Sequence, residues 1–285
     1  MARIDSRFIF VTTSPRTPSK MIPEIELLNT HFSGRKWNTT TQAAFMKLLR
    51  EENFFRGEAK KDPAFSARDR ITRGPQALGL VKLKPVIALT PAGLELVSAK
   101  RKEETFLRQL LKFQVPSPYH KPSPKAAKFW VKPYLELFRL IRHFGSLKFD
   151  ELTIFGLQLV DYREFDNIVA KIDQFRIAKA QYQGNYRHFR DGYLEAELRE
   201  IYQNEISLGN TKTRESNDAS LTTFLKKKAR NMRDYADACI RYLRATGLVN
   251  ISHIGKSLSI VPEKVEEVDY FLEQTDREPC YLNDK

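Results

Sequence analysis

A five-residue segment, Ala-x-Gly-Leu-Val, occurs twice in this 285-residue chain and limits what it can fold into. The copies are residues 77–81 and 245–249, and each follows a cation-rich stretch. After each copy comes a short extended stretch that ends in a proline, Pro91 or Pro262, and then an apolar helical pattern. Glycine readily ends a helix at positive φ, and proline fits the first turn of the next helix. Each copy therefore predicts helix, two-stranded wing and helix, the second half of a winged helix-turn-helix.

The two copies lie 168 residues apart, which fits the two domains expected for this length. We predict a mainly α fold with small β wings. Its parts are an N-terminal arm plus a first winged-helix subdomain (1–110), a Pro/Lys-rich linker (111–133) and a second winged-helix subdomain (134–285). Expected details are a strand at 8–11, helices at 23–29, 41–51 and from Ser66, a polar insertion at 181–217 and an exposed loop at 209–217.

The charge is unevenly distributed along the chain. The net charge is +13, but residues 263–285 carry three basic and eight acidic side chains, so residues 1–262 carry +18. Such a field attracts a polyanion, most often a nucleic acid, although a generally basic surface is the alternative. Residues 99–148 alone carry +9, which suits either a path for phosphates or a solvated spacer.

Two cysteines, Cys239 and Cys280, provide neither a disulfide framework nor a zinc spacing, which favours a reducing cytoplasm. The N-terminal apolar run is too short for a signal peptide, and no segment approaches the length of a membrane span. We therefore expect no membrane association.

The stretch 221–244 has the periodicity of a two-faced helix. At 100° per residue, Met232, Ala236, Cys239, Ile240 and Leu243 share one arc, whereas Arg230, Arg233, Asp237, Arg241 and Arg244 share another. Lys226, Lys227 and Lys228 extend the charge upstream. A solvated helix face usually mixes signs at i,i+4 spacing, and this one does so only through Asp234 and Asp237. We expect phosphate or base contacts from this helix, with a merely solvated face as the alternative.

The equivalent stretch before the first wing is residues 64–76. Ser66 can cap a helix whose next turn presents Arg68, Asp69, Arg70 and Arg73. The arginine fork matches guanine O6 and N7 in the major groove, and aspartate can accept from cytosine N4. We expect Gly74-Pro75 to break this helix, because proline removes a backbone donor and clashes with the preceding turn.

Motifs of catalysis are incomplete. Residues 253–257 end like a phosphate-binding loop, but the required first glycine is Asn250. The one acid-x-Lys match, at 58–60, falls in a charged loop, and the five histidines form no ligand cluster. The sequence predicts no catalytic residue, metal or cofactor for this chain alone.

Several segments resemble the N-terminal recognition part of type II restriction endonucleases that cut beside an asymmetric site (type IIS), including the large subunits of nicking endonucleases. They are residues 14–16 through Lys20, Pro23-Glu24, 64–66, 68–70, 90–93, 228–234, 236–238 and 246–248.

The resemblance implies two winged-helix subdomains joined by a linker subdomain. These would hold one DNA duplex as a monomer, in the bacterial cytoplasm, and read a short asymmetric site in the major groove. It also implies a Mg²⁺-dependent nuclease domain after residue 285. The contacts implied by position are Arg16 and Lys20 on the arm, Ser66, Arg68, Asp69, Arg70 and Arg73, and Lys228, Arg230, Asn231, Arg233 and Asp234.

Composition adds Lys226 and Lys227 as phosphate contacts and Lys212, Thr213 and Arg214 as contacts from the insertion. Two other functions stay open at this point. One is a transcriptional regulator with paired winged helices, and the other is an RNA-binding module, which would need an aromatic stacking motif that the sequence lacks.

Overall fold

The computed structural model describes residues 2–4, 6–9, 17–54, 63–98, 102–122, 128–213, 218–252 and 256–280. The fold is mainly helical with small sheets, as predicted. The elements up to residue 122 are β1 (Ala2–Ile4), α1 (Pro18–Phe32), α2 (Thr39–Glu51), α3 (Pro63–Ile71), a π-helical turn (Thr72–Gln76), β2 (Val81–Lys82), β3 (Ala88–Leu89), α4 (Pro91–Ser98), α5 (Lys102–Lys112) and β4 (His120–Pro122).

The remaining elements start at residue 133. They are α6 (Pro133–Phe144), β5 (Leu147–Lys148), α7 (Phe149–Ile154), two short 3₁₀ turns (Gly156–Gln158 and Tyr162–Glu164), α8 (Phe165–Gln181), α9 (Tyr186–Ile201), α10 (Gln203–Ser207), α11 (Leu221–Arg244), β6 (Val249–Ile251), β7 (Ser257–Ile260), a third 3₁₀ turn (Pro262–Lys264) and α12 (Val265–Gln274).

The first predicted hairpin is formed by β2 and β3. The two strands are antiparallel, with Val81 opposite Leu89, and α4 begins directly at Pro91. Gly79 has a φ of 69°, which ends the preceding helical turn as the repeat predicted. Leu80, Val81 and Ile87 are buried, so the hairpin packs on the helices of its own module.

The second hairpin belongs to a three-stranded sheet of order β5-β7-β6. Both outer strands are antiparallel to β7, with Leu147 opposite Leu258 on one side and Val249 opposite Ile260 on the other. The element order α6, β5, α7, α11, β6, β7 is that expected of a winged helix-turn-helix, with α8, α9 and α10 inserted before its third helix. Gly247, with a φ of 73°, ends the turn after α11.

The N-terminal prediction was wrong for the residues that are described. Phe8 and Ile9 are not in a strand, and the strand near this end is β1, which pairs in parallel with β4. Phe8 is buried against the rings of Tyr202 and Tyr235, at centroid distances of 6.4 and 5.6 Å. The Ile9 N–H donates to the Leu157 carbonyl at 2.8 Å. Hydrophobic burial thus draws this segment into the second module.

The predicted linker is anchored at both ends of its described part. Val115 and Val131 form an antiparallel bridge, and Phe113 and Phe129 are buried in the core. A solvated spacer does not describe these residues, because their side chains are withdrawn from water.

The polar insertion contains the helices α9 and α10, which the sequence analysis did not predict. Leu194, Leu198 and Tyr202 are buried, and α9 packs against α7 and α11. The expected exposed loop is partly wrong, since Thr211 is buried and its hydroxyl donates to the Ala219 carbonyl. The apolar i,i+4 pair Leu194 and Leu198 was the available signal.

Both modules share one hydrophobic core. Tyr242 on α11 is fully buried and contacts Phe106 on α5 at a centroid distance of 5.7 Å. It also stacks on Tyr134 of α6 at 6.0 Å. Among the described helices, none is long and apolar enough to cross a membrane.

Candidate nucleic-acid interface

The helix α11 runs without interruption for 24 residues, about 36 Å at 1.5 Å per residue. It begins at Ser220, whose hydroxyl accepts from the Thr223 N–H at 3.3 Å. The predicted apolar arc is confirmed, since all five of its members are buried. On the other side lie Lys226, Arg230, Arg233, Arg241 and Arg244, which we call the α11 basic face.

The cations of the α11 basic face differ in their partners. Arg233 forms an ion pair with Asp191 of α9 at 2.8 Å, and Arg241 forms one with Asp237 at 2.8 Å. Lys226, Arg230 and Arg244 are exposed and have no ion pair within the described residues. Exposed cations without a protein counter-charge are the ones most able to neutralise phosphates.

Asp191 is a further residue of this surface that sequence reasoning missed. Its carboxylate contacts Arg190 at 2.7 Å and Arg187 at 3.9 Å, besides Arg233. It lines a cleft of about 440 Å³ between α9 and α11 together with Lys226. One carboxylate therefore neutralises part of the charge of three arginines beside the α11 basic face.

Lys228 lies away from that face. Its ammonium is 4.4 Å from the ring centroid of Tyr202 and 5.2 Å from that of Phe224. Two residues along a helix correspond to about 200° of rotation, so Lys228 and Arg230 point to opposite sides of α11. Cation–π contacts hold the Lys228 side chain over the insertion. Lys227, Asn231 and Asp234 are half-buried between the two sides.

The helix α3 differs from the prediction at its start. It begins at Pro63, so Ser66 lies inside the helix and is not its cap. The α-helix ends at Ile71, and Gly74 and Pro75 lie in the π-helical turn that follows, where the Leu80 N–H donates to the Pro75 carbonyl at 2.9 Å. A wider turn can accommodate a residue that lacks the N–H of the i→i−4 ladder.

The side chains of α3 are held by neighbours. Arg68 is exposed, with its guanidinium 5.8 Å from the ring centroid of Phe65. Asp69 forms an i,i+4 ion pair with Arg73 of the π-helical turn that follows α3. Both features keep planar donors and a carboxylate near the surface, where base edges could be read.

Arg70 points the other way. Its Nε donates to Glu24 Oε2 of α1 at 3.1 Å, and its Nη2 donates to Glu24 Oε1. The Glu24 side chain is wholly buried and that of Arg70 is 14% exposed. Burial raises the pKa of Glu24, although the hydrogen bond and charge of Arg70 act to lower it. The guanidinium of Arg70 is therefore occupied inside the protein.

The candidate residues of the arm are only partly described. Lys20 is exposed in the first turn of α1, so it is helical and does not lie on an extended arm, because α1 begins at Pro18. Arg16 and Arg214 lie outside the described residues. Of the other insertion candidates, Lys212 is exposed and Thr213 half-buried.

The start of α1 lies beside the end of α11. Arg241 Nη1 donates to the hydroxyl of Thr17, the residue before α1, at 3.2 Å. Lys20 is one turn further along α1. The tertiary structure thus extends the α11 basic face toward Lys20, which is more than 200 residues away in sequence.

The described residues contain no group of three or more His, Cys, Asp or Glu side chains that could hold a metal ion. The motif fragments at 58–60 and 253–255 lie outside the described residues. Burial raises the pKa of the Cys239 thiol to about 12, so this thiol is not activated as a nucleophile.

In a comparison with known protein families, the AlwI restriction endonuclease family model matches residues 76–284. Among solved structures, one similar chain is described as "Crystal structure of pyrene- and phenanthrene-modified DNA in complex with the BpuJ1 endonuclease binding domain". Its TM-score is 0.49 and its sequence identity 15%, over 86% of this chain and 78% of that chain. No curated protein matches the sequence.

Proposed function

The chain belongs to the AlwI restriction endonuclease family, and on that premise we propose that it recognises a specific sequence of double-stranded DNA. The α11 basic face is the observation that carries this proposal. It consists of five cations on the helix that precedes the wing, and three of them are exposed without an ion pair among the described residues. In helix-turn-helix proteins, the equivalent helix enters the major groove.

Two kinds of contact follow from the partners of each side chain. Lys226, Arg230 and Arg244 have no ion pair to exchange within the described part of the chain, so they serve as phosphate contacts. Arg68 and the Asp69–Arg73 pair are oriented by neighbours, which suits base reading. Phosphate contacts position the duplex, whereas base contacts distinguish sequences.

The proposal has three more detailed parts. The chain binds as a monomer, it recognises an asymmetric DNA site, and a separate Mg²⁺-dependent nuclease domain follows residue 285. An asymmetric site is supported by the inequality of α3 and α11, since two different helices in one core have no two-fold symmetry that a palindrome would match. The nuclease domain and the bacterial cytoplasm follow from the type II endonucleases that the sequence resembles.

The test is selection of bound sequences from random duplex DNA, with the oligomeric state of the complex measured by light scattering. We expect one nonpalindromic site bound by one chain. A palindrome bound by a dimer would instead indicate a paired winged-helix regulator, and no enrichment would contradict sequence-specific recognition altogether.

A variant of the α11 basic face and a control variant elsewhere on the surface test this interface. Replacing Lys226, Arg230 and Arg244 together by alanine should abolish enrichment at moderate salt. Replacing the exposed Lys47 and Lys264, which lie on α2 and before α12, should leave it intact. The selections are repeated with Mg²⁺, and we expect no cleavage by this chain alone. Cut or nicked DNA would contradict a separate nuclease domain.

A further inference from the structure

The helix α1 connects the two candidate DNA-facing helices. Through Glu24 it holds Arg70 of α3, in the first module. Through Thr17 it holds Arg241 of α11, in the second. These contacts are on the same 15-residue helix and its preceding residue, about two turns apart, so α1 links the two helices directly.

The contact to α3 is buried and specific in its geometry. Both carboxylate oxygens of Glu24 are engaged by Arg70, and Met21, Ile25 and Leu28 of α1 are fully buried around it. A bidentate arginine–carboxylate pair fixes orientation as well as distance. Buried ion pairs contribute little net stability, and their best-attested use is to set the register of elements.

Glu24 also lies close to the second module. The pKa of the Tyr242 phenol is raised first by burial and then by the negative charge of Glu24. Tyr242 is the α11 residue that packs between Phe106 and Tyr134 in the shared core. The carboxylate is therefore near the point where α1, α3 and α11 meet.

We propose that Glu24 and Arg70 are positioning residues that set the placement of α3 relative to α11, and thereby the spacing between the base pairs that each helix reads. This inference rests on the proposed function. It gives Arg70 a role other than the base contact expected from sequence, because its Nε and Nη2 donate to a buried carboxylate and only 14% of its side chain is exposed.

The experiment is the same selection, applied to Glu24→Gln, Arg70→Lys and the double variant Glu24→Gln/Arg70→Gln. Wild type should enrich two short motifs at one fixed spacing. Glu24→Gln and the double variant should enrich the same two motifs at spacings that vary by a base pair or more. Arg70→Lys keeps the charge and should restore most of the fixed spacing. The double variant leaves no buried charge unpaired. If Glu24→Gln does not fold, the double variant therefore still tests whether the Glu24–Arg70 pair fixes the spacing.

A binding measurement gives the size of the effect. Inserting one base pair between the motifs should weaken wild-type binding by about tenfold or more, since one set of contacts is lost. The same insertion should weaken binding by the double variant much less. The control is Asp269→Asn, which breaks a bidentate pair with Arg142 between α12 and α6 and should leave the spacing fixed.

Two results would overturn the inference, and a third would overturn the function on which it rests. Fixed spacing in folded Glu24→Gln and double variants contradicts it. Loss of a single base preference in Arg70→Lys, with spacing unchanged, shows that Arg70 reads a base. If wild type enriches nothing, the proposed function fails first, and the variants are then irrelevant to it.

Discussion

The two helices that precede the wings, α3 and α11, differ in what holds their charges. The helix α11 is long and continuous, and three of its exposed cations have no ion pair within the described residues. The helix α3 spans nine residues, and its two arginines contact Phe65 and Glu24, while Arg73 of the following π-helical turn pairs with Asp69. The same Ala-x-Gly-Leu-Val segment thus follows helices of different electrostatic character, one suited to attracting DNA and the other to orienting a few side chains.

The largest expected effect concerns the stability of the α3 side of this comparison. Replacing Arg70 by methionine should lower the free energy of unfolding by about 3 kcal/mol, because it leaves the Glu24 carboxylate buried without a counter-charge. Arg73→Met removes only a part-exposed i,i+4 pair and should cost at most about 0.5 kcal/mol. Urea denaturation measures the free energy of unfolding of both variants. Equal losses would mean that the buried Glu24–Arg70 pair matters no more for stability than the part-exposed Asp69–Arg73 pair.

The loss in Arg70→Met should also grow with pH. The pKa of Glu24 is raised in the folded protein, so its ionisation opposes folding. Protonated Glu24 contributes its full stabilisation at pH values below its pKa in the unfolded chain. That contribution is lost as the pH rises through its pKa in the folded protein. Without Arg70 the folded pKa rises further, so the deficit should be larger at pH 8 than at pH 5. A deficit that shrinks at pH 8 would contradict this account of Glu24.

The next effect distinguishes base contacts made by α3 from phosphate contacts made by α11. Arg68→Ala should weaken binding by about 1 to 3 kcal/mol at one or two base pairs of the selected site, and hardly at all on other DNA. Binding to a panel of single-base variants of the site measures this. A uniform loss over the whole panel would place Arg68 among the phosphate contacts.

Arg230→Ala should behave in the opposite way. It should weaken every duplex alike, and the slope of log K against log salt should fall by about 0.9 for the lost phosphate contact. Lys226→Ala should do the same, as the sequence predicted. If either variant changes the preferred site, the proposed division of labour between the two helices is wrong.

The smallest effect concerns Asp191. Asp191→Asn releases charge on Arg187, Arg190 and Arg233, so it should tighten binding to unrelated DNA by roughly twofold to fivefold, in the range of exposed ion pairs. Asp269→Asn makes the same change of charge beside α6 and should have less effect. If both variants bind DNA more tightly by the same factor, Asp191 acts only through the net charge of the chain and not through its position beside the α11 basic face.

Local pattern was enough for much of the fold and part of the site. The helix–hairpin–helix order, the positive φ of Gly79 and Gly247 and the two faces of α11 follow from periodicity and turn chemistry, and the structure confirms them. The resemblance to restriction endonucleases is confirmed by the family match. The predicted domain boundaries, DNA contacts and Mg²⁺ dependence of the parent enzyme stay predictions.

What failed were inferences about residues whose partners lie far away in sequence. The sequence analysis grouped Arg70 with Arg68 as a DNA contact, but Glu24, 46 residues earlier in the chain, holds Arg70 inside the protein. Phe8 was expected in a strand of the N-terminal arm, yet its ring is buried against those of Tyr202 and Tyr235. The sequence analysis described the insertion only as polar, because its helix α9 buries few residues. It therefore did not predict that α9 places Asp191 beside Arg233.

By itself, the sequence determined the repeated wing elements, the basic character of the chain and the amphipathic α11, because these depend on neighbouring residues and on composition. Only the tertiary structure decided which arginines face outward, which one is held by Glu24, and how α1 joins α3 to α11. Those outcomes depend on burial and on ion pairs between distant segments, and such contacts exist only once the two modules have closed around one core.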